Sequence, residues 1–452
     1  MNGIHIVSLS IKGIKSLDNE VSLSFYKKDI TPPYNFRDYN IKAVYGTNGS
    51  GKTAIVSAVK ILKDIMLNSD YLSSDINQKK LHELVNQKTR SMHIEVEYLI
   101  EFGSTIKPIL YRCYIEIGLN KLNKFRIVRE KLEYRTTSSR SSKYNLLYDI
   151  DNGTLKLSDS LRTKTSSIFN EETKNLLTTS SLCSLFYVKI LTLLEDVIKS
   201  DIKPDMLILG CLAQLMFYTN VYVYLEDKDL HDEYIINEML SESKLREYID
   251  NITDYKGFDD QVIVAGINYV DRNKLKAFKA KVRSLGEFLK IFKNEIQDVE
   301  IDKRVDGDLY ICRLIMKYDG YKIDSEYESS GIKKLIDLFD YIKKMNDSAI
   351  VFIDEFDANL HDVYLCVLLE YLSEYAEGQL CFTSHNIGPM RVLKSKKRSL
   401  DFLSVDRTIY SWSASGNYSP TTLYCNGMIE GSPFNVYMTD FLGVFDESEE
   451  NE

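Results

Sequence analysis

Ile41–Met66, IKAVYGTNGSGKTAIVSAVKILKDIM, is the stretch whose reading decides the fold of this chain. A β-rich run, Ile41–Tyr45, leads into Gly46, and after Lys52-Thr53 the apolar residues Ile55, Val59, Leu62, Ile65 and Met66 recur at helical spacing. Between strand and helix stands Gly-x-x-x-x-Gly-Lys-Thr, filled by Gly46, Gly51, Lys52 and Thr53. Glycines let successive backbone N–H groups turn inward around a phosphate. The lysine reaches the β/γ oxygens and the hydroxyl can hold Mg²⁺. The helix that begins after Gly51 adds the positive end of its dipole. A chance glycine-rich turn explains neither the strand before it nor the helix after it, so the expectation is ATP binding.

Working outward, Val7–Ile11 and Val21–Phe25 read as strands, and Met92–Tyr134 reads as a three-stranded antiparallel meander, followed by a serine- and threonine-rich loop at Thr136–Ser142. Leu155–Gln297 reads as mainly helical and closes with the long amphipathic pattern Asn273–Gln297. Two strands, Val299–Arg304 and Leu309–Tyr318, then hinge on the hairpin signal Asp306-Gly307. From there to about Asp406 helices alternate with short apolar strands, the pattern of a parallel sheet covered by helices. The expected division is residues 1–154 and 298–452 as the two parts of one α/β core, with 155–297 inserted between them.

Composition narrows the class. In 452 residues, 44% apolar and 27% charged describe an ordinary globular protein with a full core. A net charge of −9 argues against nucleic acid binding by the whole surface and leaves a local basic patch open. The seven cysteines never form Cys-x-x-Cys, so neither a zinc site nor a disulfide framework is expected, and reduced thiols in a cytoplasmic protein are. The first residues alternate apolar and polar, as a strand does and a signal peptide does not. Met206–Leu225 is apolar enough to raise a membrane span, but Gln214, Asn220 and its tyrosine- and valine-rich second half favour a buried helix followed by a strand, and no membrane is expected. The acidic tail Asp446–Glu452 is expected to fray.

Three further motifs carry chemistry. In Ala349-Ile-Val-Phe-Ile-Asp354-Glu355, five apolar residues make a buried strand whose end presents two carboxylates where a parallel sheet opens onto its ligand crevice. Asp354 suits the Mg²⁺ shell, and Glu355 suits orienting and deprotonating an attacking water. Upstream, Glu328-Ser329-Ser330-Gly331-Ile332-Lys333-Lys334 precedes the helical run Leu335–Ile342. Such a turn offers hydroxyls and N–H groups to an anion, or serves only as a helix N-cap. Downstream, the strand Leu380–Thr383 ends in Ser384-His385-Asn386, which places His385 to reach a γ-phosphate or simply to cap and pack.

The ordered set GTNGSGKT, ESSGIKK, AIVFIDEFDANLH and FTSHN resembles the ATPase core of the ATP-binding-cassette (ABC) superfamily, in its Rad50/SMC-like branch. Asp354, Glu355, Leu360 and His361 and the split core are most similar to the overcoming-lysogenization-defect (OLD) ATPases and their relatives in bacterial anti-phage systems, such as the PARIS and Septu ATPases. The resemblance spans about residues 1–135 and 300–400 and implies an α/β ABC-type core. It also implies roles. Gly46, Thr47, Asn48, Gly49, Ser50, Gly51, Lys52 and Thr53 would bind phosphates, with Thr53 and Asp354 on Mg²⁺. Glu355 would activate water, Asp357–His361 would touch a second subunit, and His385 would sense the γ-phosphate. Ser329, Ser330 and Gly331 would cap ATP held by another copy, making the chain a homodimer or larger homo-oligomer. The glutamine loop of the family has no clear counterpart; Gln78 and Gln87 are the available residues.

Many OLD proteins continue into a TOPRIM nuclease. Here about 50 residues follow Asp406, without Asp-x-Asp, so a separately encoded effector, a nuclease or toxin, is the expected partner. A DNA-repair or DNA-maintenance ATPase acting directly on DNA is the alternative, weakened by an insertion without sustained heptads. A transporter subunit fits the signature turn poorly. Lys274, Lys276, Lys279, Lys281, Arg283, Lys290 and Lys293 form a basic cluster that fits either phosphate contacts or a solvated helix face.

Overall fold

The computed structural model describes residues 3–28, 30–68, 70–101, 108–137, 143–159, 180–182, 219–223, 262–413 and 418–432. Two sheets enclose one helix. The first is antiparallel and seven-stranded, in the order β2 (Val21–Ser24), β1 (Ile4–Lys12), β4 (Ser91–Ile100), β5 (Ile109–Leu119), β6 (Phe125–Thr136), β7 (Asn145–Asp151) and β8 (Thr154–Leu157). The second has the order β17 (Ile409–Ser411), β16 (Leu400–Leu403), β3 (Ile41–Gly46), β15 (Gln379–Thr383), β14 (Ile350–Ile353) and β9 (Thr219–Tyr222). Its pairs are parallel except β16 with β17.

Burial follows from these two roles. Strands β3, β14, β15 and β16 are buried at every residue, because both faces of the parallel sheet are covered. Strands β4 and β5 alternate buried and half-buried residues, one face meeting the core. Helix α1 (Lys52–Leu67) lies between the sheets, and Ile55, Val59, Leu62, Ile65 and Met66 share one core with Ile94, Val96, Tyr98, Val221 and Phe352. Helix α2 (Asp75–Leu84) leads from α1 to β4.

The far face of the parallel sheet is covered by α4 (Ser330–Asn346), α5 (Asp362–Tyr375), α6 (Gly388–Leu393) and α7 (Pro420–Cys425). A third core joins α4 to α3 (Leu275–Phe292) and a small sheet of β10 (Asn268–Asp271), β11 (Asp298–Asp306), β12 (Leu309–Lys317) and β13 (Lys322–Asp324). The β11–β12 hairpin turns at Asp306-Gly307 with Gly307 at φ +56°. Among the described residues, Cys312, Cys366, Cys381 and Cys425 are free thiols.

The stretch read as mainly helical differs where it is described. Helix α3 lies inside the expected pattern, but β8 and β10 are strands. The β7–β8 hairpin turns on Asn152-Gly153, both at positive φ, the dipeptide that a type I′ turn favours. Strand β9 lies in the second half of the apolar segment Met206–Leu225, where a strand was expected; residues 206–218 are outside the described residues. So are 160–179, 183–205 and 224–261, and the acidic tail. Among the described residues no helix is long and apolar enough to cross a membrane.

Candidate nucleotide site

The carboxyl ends of β3, β14 and β15 carry the phosphate loop, the carboxylates and the histidine, so the parallel sheet brings together three motifs that are far apart in sequence. Gly51 sits at φ +113°, and a Cβ there would collide with Leu17 of the β1–β2 turn. Ser16 in that turn donates to Gly49 O at 3.3 Å. The antiparallel sheet thus braces the loop from beneath, a contact that sequence spacing does not reveal.

Lys52 is the buried end of the loop. Its Nζ donates to Gly46 O at 2.8 Å and Thr47 O at 2.9 Å, curling back onto the loop's own carbonyls. Ser50 Oγ is buried without a partner among the described residues. A buried, unsatisfied hydroxyl and a buried ammonium on this glycine-rich loop fit a phosphate. Burial lowers the Lys52 ammonium to about 8, against the opposing pull of Asp354, Glu355 and Asp357.

Asp354 is buried at the end of β14. Its N–H donates to Tyr222 O at 2.9 Å, and its Oδ1 accepts from Thr383 Oγ1 at 2.6 Å. The Glu355 N–H donates to the same Thr383 oxygen at 2.8 Å. Glu355 adopts φ +47°, an uncommon conformation for a residue with a Cβ, which turns it out of the strand direction. Desolvation raises its carboxyl, and the neighbouring Asp354 and Asp357 charges add to that. A carboxylate so raised is the better proton acceptor.

Asp357 ties this loop to the histidine segment. Its Oδ2 accepts from the N–H of His385 at 3.2 Å and of Asn386 at 3.1 Å. Burial and the charge of Lys52 lower His385, keeping its imidazole neutral at neutral pH. His361 is the N-cap of α5, its Nδ1 accepting from Val363 N–H at 3.3 Å.

The serine turn caps α4: Ser329 Oγ accepts from Ile332 N–H at 3.4 Å. Gly331 lies so close to the Asp357–His361 loop that a Cβ would come within 2.8 Å of Asn359 O. Glu328, just before the turn, is bonded to Tyr318 and paired with Lys293 at 3.4 Å. Lys334, three residues after Gly331, is buried with its Nζ 4.4 Å from the centre of the Tyr222 ring. Desolvation lowers it to about 8, although Asp337, Glu355, Asp354 and Asp357 pull the other way. Its place beside the carboxylates was not foreseen, because nothing distinguishes it in sequence from its neighbour, half-buried Lys333.

Gln78 and Gln87 serve structure. Gln78 is buried and exchanges hydrogen bonds with the backbone N–H and C=O of Phe125, while Gln87 donates to His82 O.

No protein-family profile matches the chain, and no curated protein does. Among solved structures it is similar to an SMC head bound to the C-winged helix domain of ScpA, with 14% identity, a TM-score of 0.41, and coverage of 91% of this chain and 98% of that one. The SMC head domain from Thermotoga maritima has 13% identity and a TM-score of 0.33 over 91% of this chain and 100% of that one. The recombination mediator RecF, with 13% identity and a TM-score of 0.34, covers 91% and 99%.

Proposed function

We propose that this chain is an ATP-binding and hydrolysing ABC-type ATPase of the Rad50/SMC-like branch. The observation that carries the reading is the meeting of Lys52, Asp354, Glu355 and His385 at the carboxyl ends of three neighbouring parallel strands. Backbone N–H groups of Gly46–Thr53 and the Lys52 ammonium hold the phosphates. Glu355 takes a proton from the attacking water, and neutral His385 donates toward the γ-phosphate.

The donor set fits Mg²⁺. Thr53 offers a hydroxyl and Asp354 one oxygen, since the other is committed to Thr383, and Mg²⁺ is bound by few protein oxygens plus nucleotide phosphates. Mg²⁺ when bound would neutralise charge developing on those phosphates.

The serine turn, Ser329–Gly331, lies against the Asp357–His361 loop of its own chain. In our reading it caps the ATP of a second copy, so two chains close around two nucleotides. The four motifs' likeness to OLD-type ATPases supports a subunit of a bacterial anti-phage system that controls a separately encoded nuclease or toxin.

Glu355→Gln tests the enzymatic reading: it should abolish ATP turnover, keep ATP binding, and accumulate an ATP-dependent dimer by light scattering. Undiminished turnover would remove Glu355 as the base, and a strictly monomeric ATP complex would remove the shared site. Co-purification with the product of the adjacent gene tests the effector reading.

A further inference from the structure

Helix α5 turns Leu365, Leu368, Leu369 and Leu372 into the core over the parallel sheet. A surface helix carries charged and polar residues on the opposite side. Here Val363, Tyr364, Val367, Tyr371 and Tyr375 stand there instead, each between 44% and 63% exposed. Their spacing of three and four residues lays them in one stripe along the helix. The rings are held in place. Tyr371 and Tyr375 stack with centres 5.5 Å apart, the Tyr371 hydroxyl donates to Asn346 Oδ1 at 3.2 Å, and Tyr364 meets Phe292 of α3 edge-on at 5.4 Å. Side chains fixed in advance lose little freedom when a partner covers them.

The charge beside the stripe has one sign. Glu370 and Glu374 continue the row of Val363 and Val367 toward the C-terminus of α5, exposed and with no cation at ion-pair distance among the described residues. From His361 to Leu380 the sequence holds no lysine or arginine, so the negative end of the helix dipole adds to the two carboxylates. Cations of neighbouring elements are engaged elsewhere. Lys396 donates to the carbonyl of Ser373, a buried residue off the stripe, and Lys343 of α4 acts on Asp347. Arg391 of α6 and Glu370 both act on the Cys366 thiol, short of an ion pair with each other.

We propose that this stripe docks an amphipathic helix of another protein, one with an aliphatic row flanked by lysine or arginine. Protein interfaces are enriched in tyrosine and depleted of lysine at their core, as the stripe is. Its 14 residues make a face about 21 Å long and one helix wide, the dimensions of a partner helix laid along it. A second copy of this chain fits less well. Helix α5 offers no cation to answer Glu370 and Glu374 across a two-fold axis, and so narrow a face falls short of the roughly 800 Å² that each partner of a stable dimer buries. Helices that lie on membranes carry lysine and arginine, and nucleic acid repels carboxylates. The stripe begins two residues after His361, so a docked helix abuts the Asp357–His361 loop. The docking itself does not depend on the ATPase reading, since no residue of the stripe belongs to the nucleotide site.

Fluorescence anisotropy of the full chain without ATP tests it with two labelled helical peptides of one leucine pattern, flanked by lysine in one and by glutamate in the other. The chain should bind the lysine peptide and not the glutamate peptide. Glu370→Lys/Glu374→Lys should weaken the lysine peptide about tenfold and admit the glutamate peptide, as two reversed rim charges imply. Val367→Ser/Tyr375→Ser should also weaken it about tenfold, through loss of the anchors. Glu83→Lys, at an exposed carboxylate of α2, should change nothing, and all variants should keep the wild-type melting midpoint. No binding, equal binding of the two peptides, or wild-type affinity in the folded stripe variants overturns the docking site. Sedimentation velocity decides the second copy: self-association without ATP that Val367→Ser/Tyr375→Ser abolishes would overturn the proposal in its favour.

Discussion

The hydroxyl of Thr383, at the end of β15, donates a 2.6 Å hydrogen bond to Asp354 Oδ1 at the end of β14. Its oxygen also accepts from the Glu355 N–H, so one small side chain orients two consecutive carboxylates from the neighbouring strand. Because Thr383 stands two residues before His385, strand pairing fixes the histidine and the carboxylates in a single frame.

Thr383→Val keeps the β-branched shape and removes both bonds. We expect ATP turnover to fall about 10- to 100-fold, the usual cost of losing a group that orients functional ligands. Nucleotide affinity, which depends on Lys52 and the loop, should stay close to wild type. Thr383→Ser should restore most of the turnover. Steady-state kinetics on the two variants separates a positioning role from a packing role, because only the serine variant restores the hydrogen bonds.

Asp357 makes a second link of the same kind. Its Oδ2 receives two backbone N–H groups of the His385 segment. Asp357→Ala should release that segment and lower turnover while leaving ATP binding intact. Asp357→Asn, which keeps one carbonyl oxygen, should recover part of the loss. Equal defects in binding and turnover would show that the loop supports the whole site and not the histidine alone.

Lys52 predicts a proton uptake. Its folded-state value, about 8, lies below the ordinary 10.5, so between those two values the buried amine is largely neutral. Phosphate oxygens favour the ammonium form. Binding ATP in that window therefore takes up a proton, and affinity weakens as pH rises through it. Calorimetry in buffers of different ionisation enthalpy measures the uptake directly, and Lys52→Met should remove most of it. Lys334, lowered to a similar value, is the control: Lys334→Met should retain the Lys52 share. Buffer-independent heats for the wild type in this window would contradict the assignment.

The legible parts of this molecule are those encoded locally. Gly46–Thr53 between an apolar strand and a 3.6-residue repeat, and the apolar runs ending at Glu355 and Thr383, are periodic signals that the structure places side by side. Which residues complete the site depends on contacts between distant segments. Ser16 and Leu17 brace the phosphate loop from another sheet, and Lys334 reaches the carboxylates only because α4 packs beside β14 and β9. The β7–β8 hairpin was legible in Asn152-Gly153 and was missed under a helical reading of the leucines that follow. The basic cluster on α3 could not be divided by sequence, since pairing with Asp340 or Glu328 depends on tertiary packing.

That pairing gives a stability prediction. Lys281 Nζ and Asp340 Oδ1 lie 2.9 Å apart with side chains 3% exposed, and Asp340 Oδ2 accepts from Ile263 N–H at 2.6 Å. Lys281→Met leaves a buried carboxylate without its cation and should destabilise the chain by about 3–5 kcal/mol, read from urea unfolding. Asp340→Asn keeps an acceptor for Ile263 but removes the carboxylate charge that faces Lys281. The double variant, in which neither charge remains, should cost less than the sum of the two. The pair joins α3 to α4, the helix that Ser329 caps, so the single variants should also weaken ATP-dependent self-association more than ATP binding. A Lys281→Met variant with wild-type stability would mean that the two helices are held by Phe278, Val282, Leu285 and Leu289 alone.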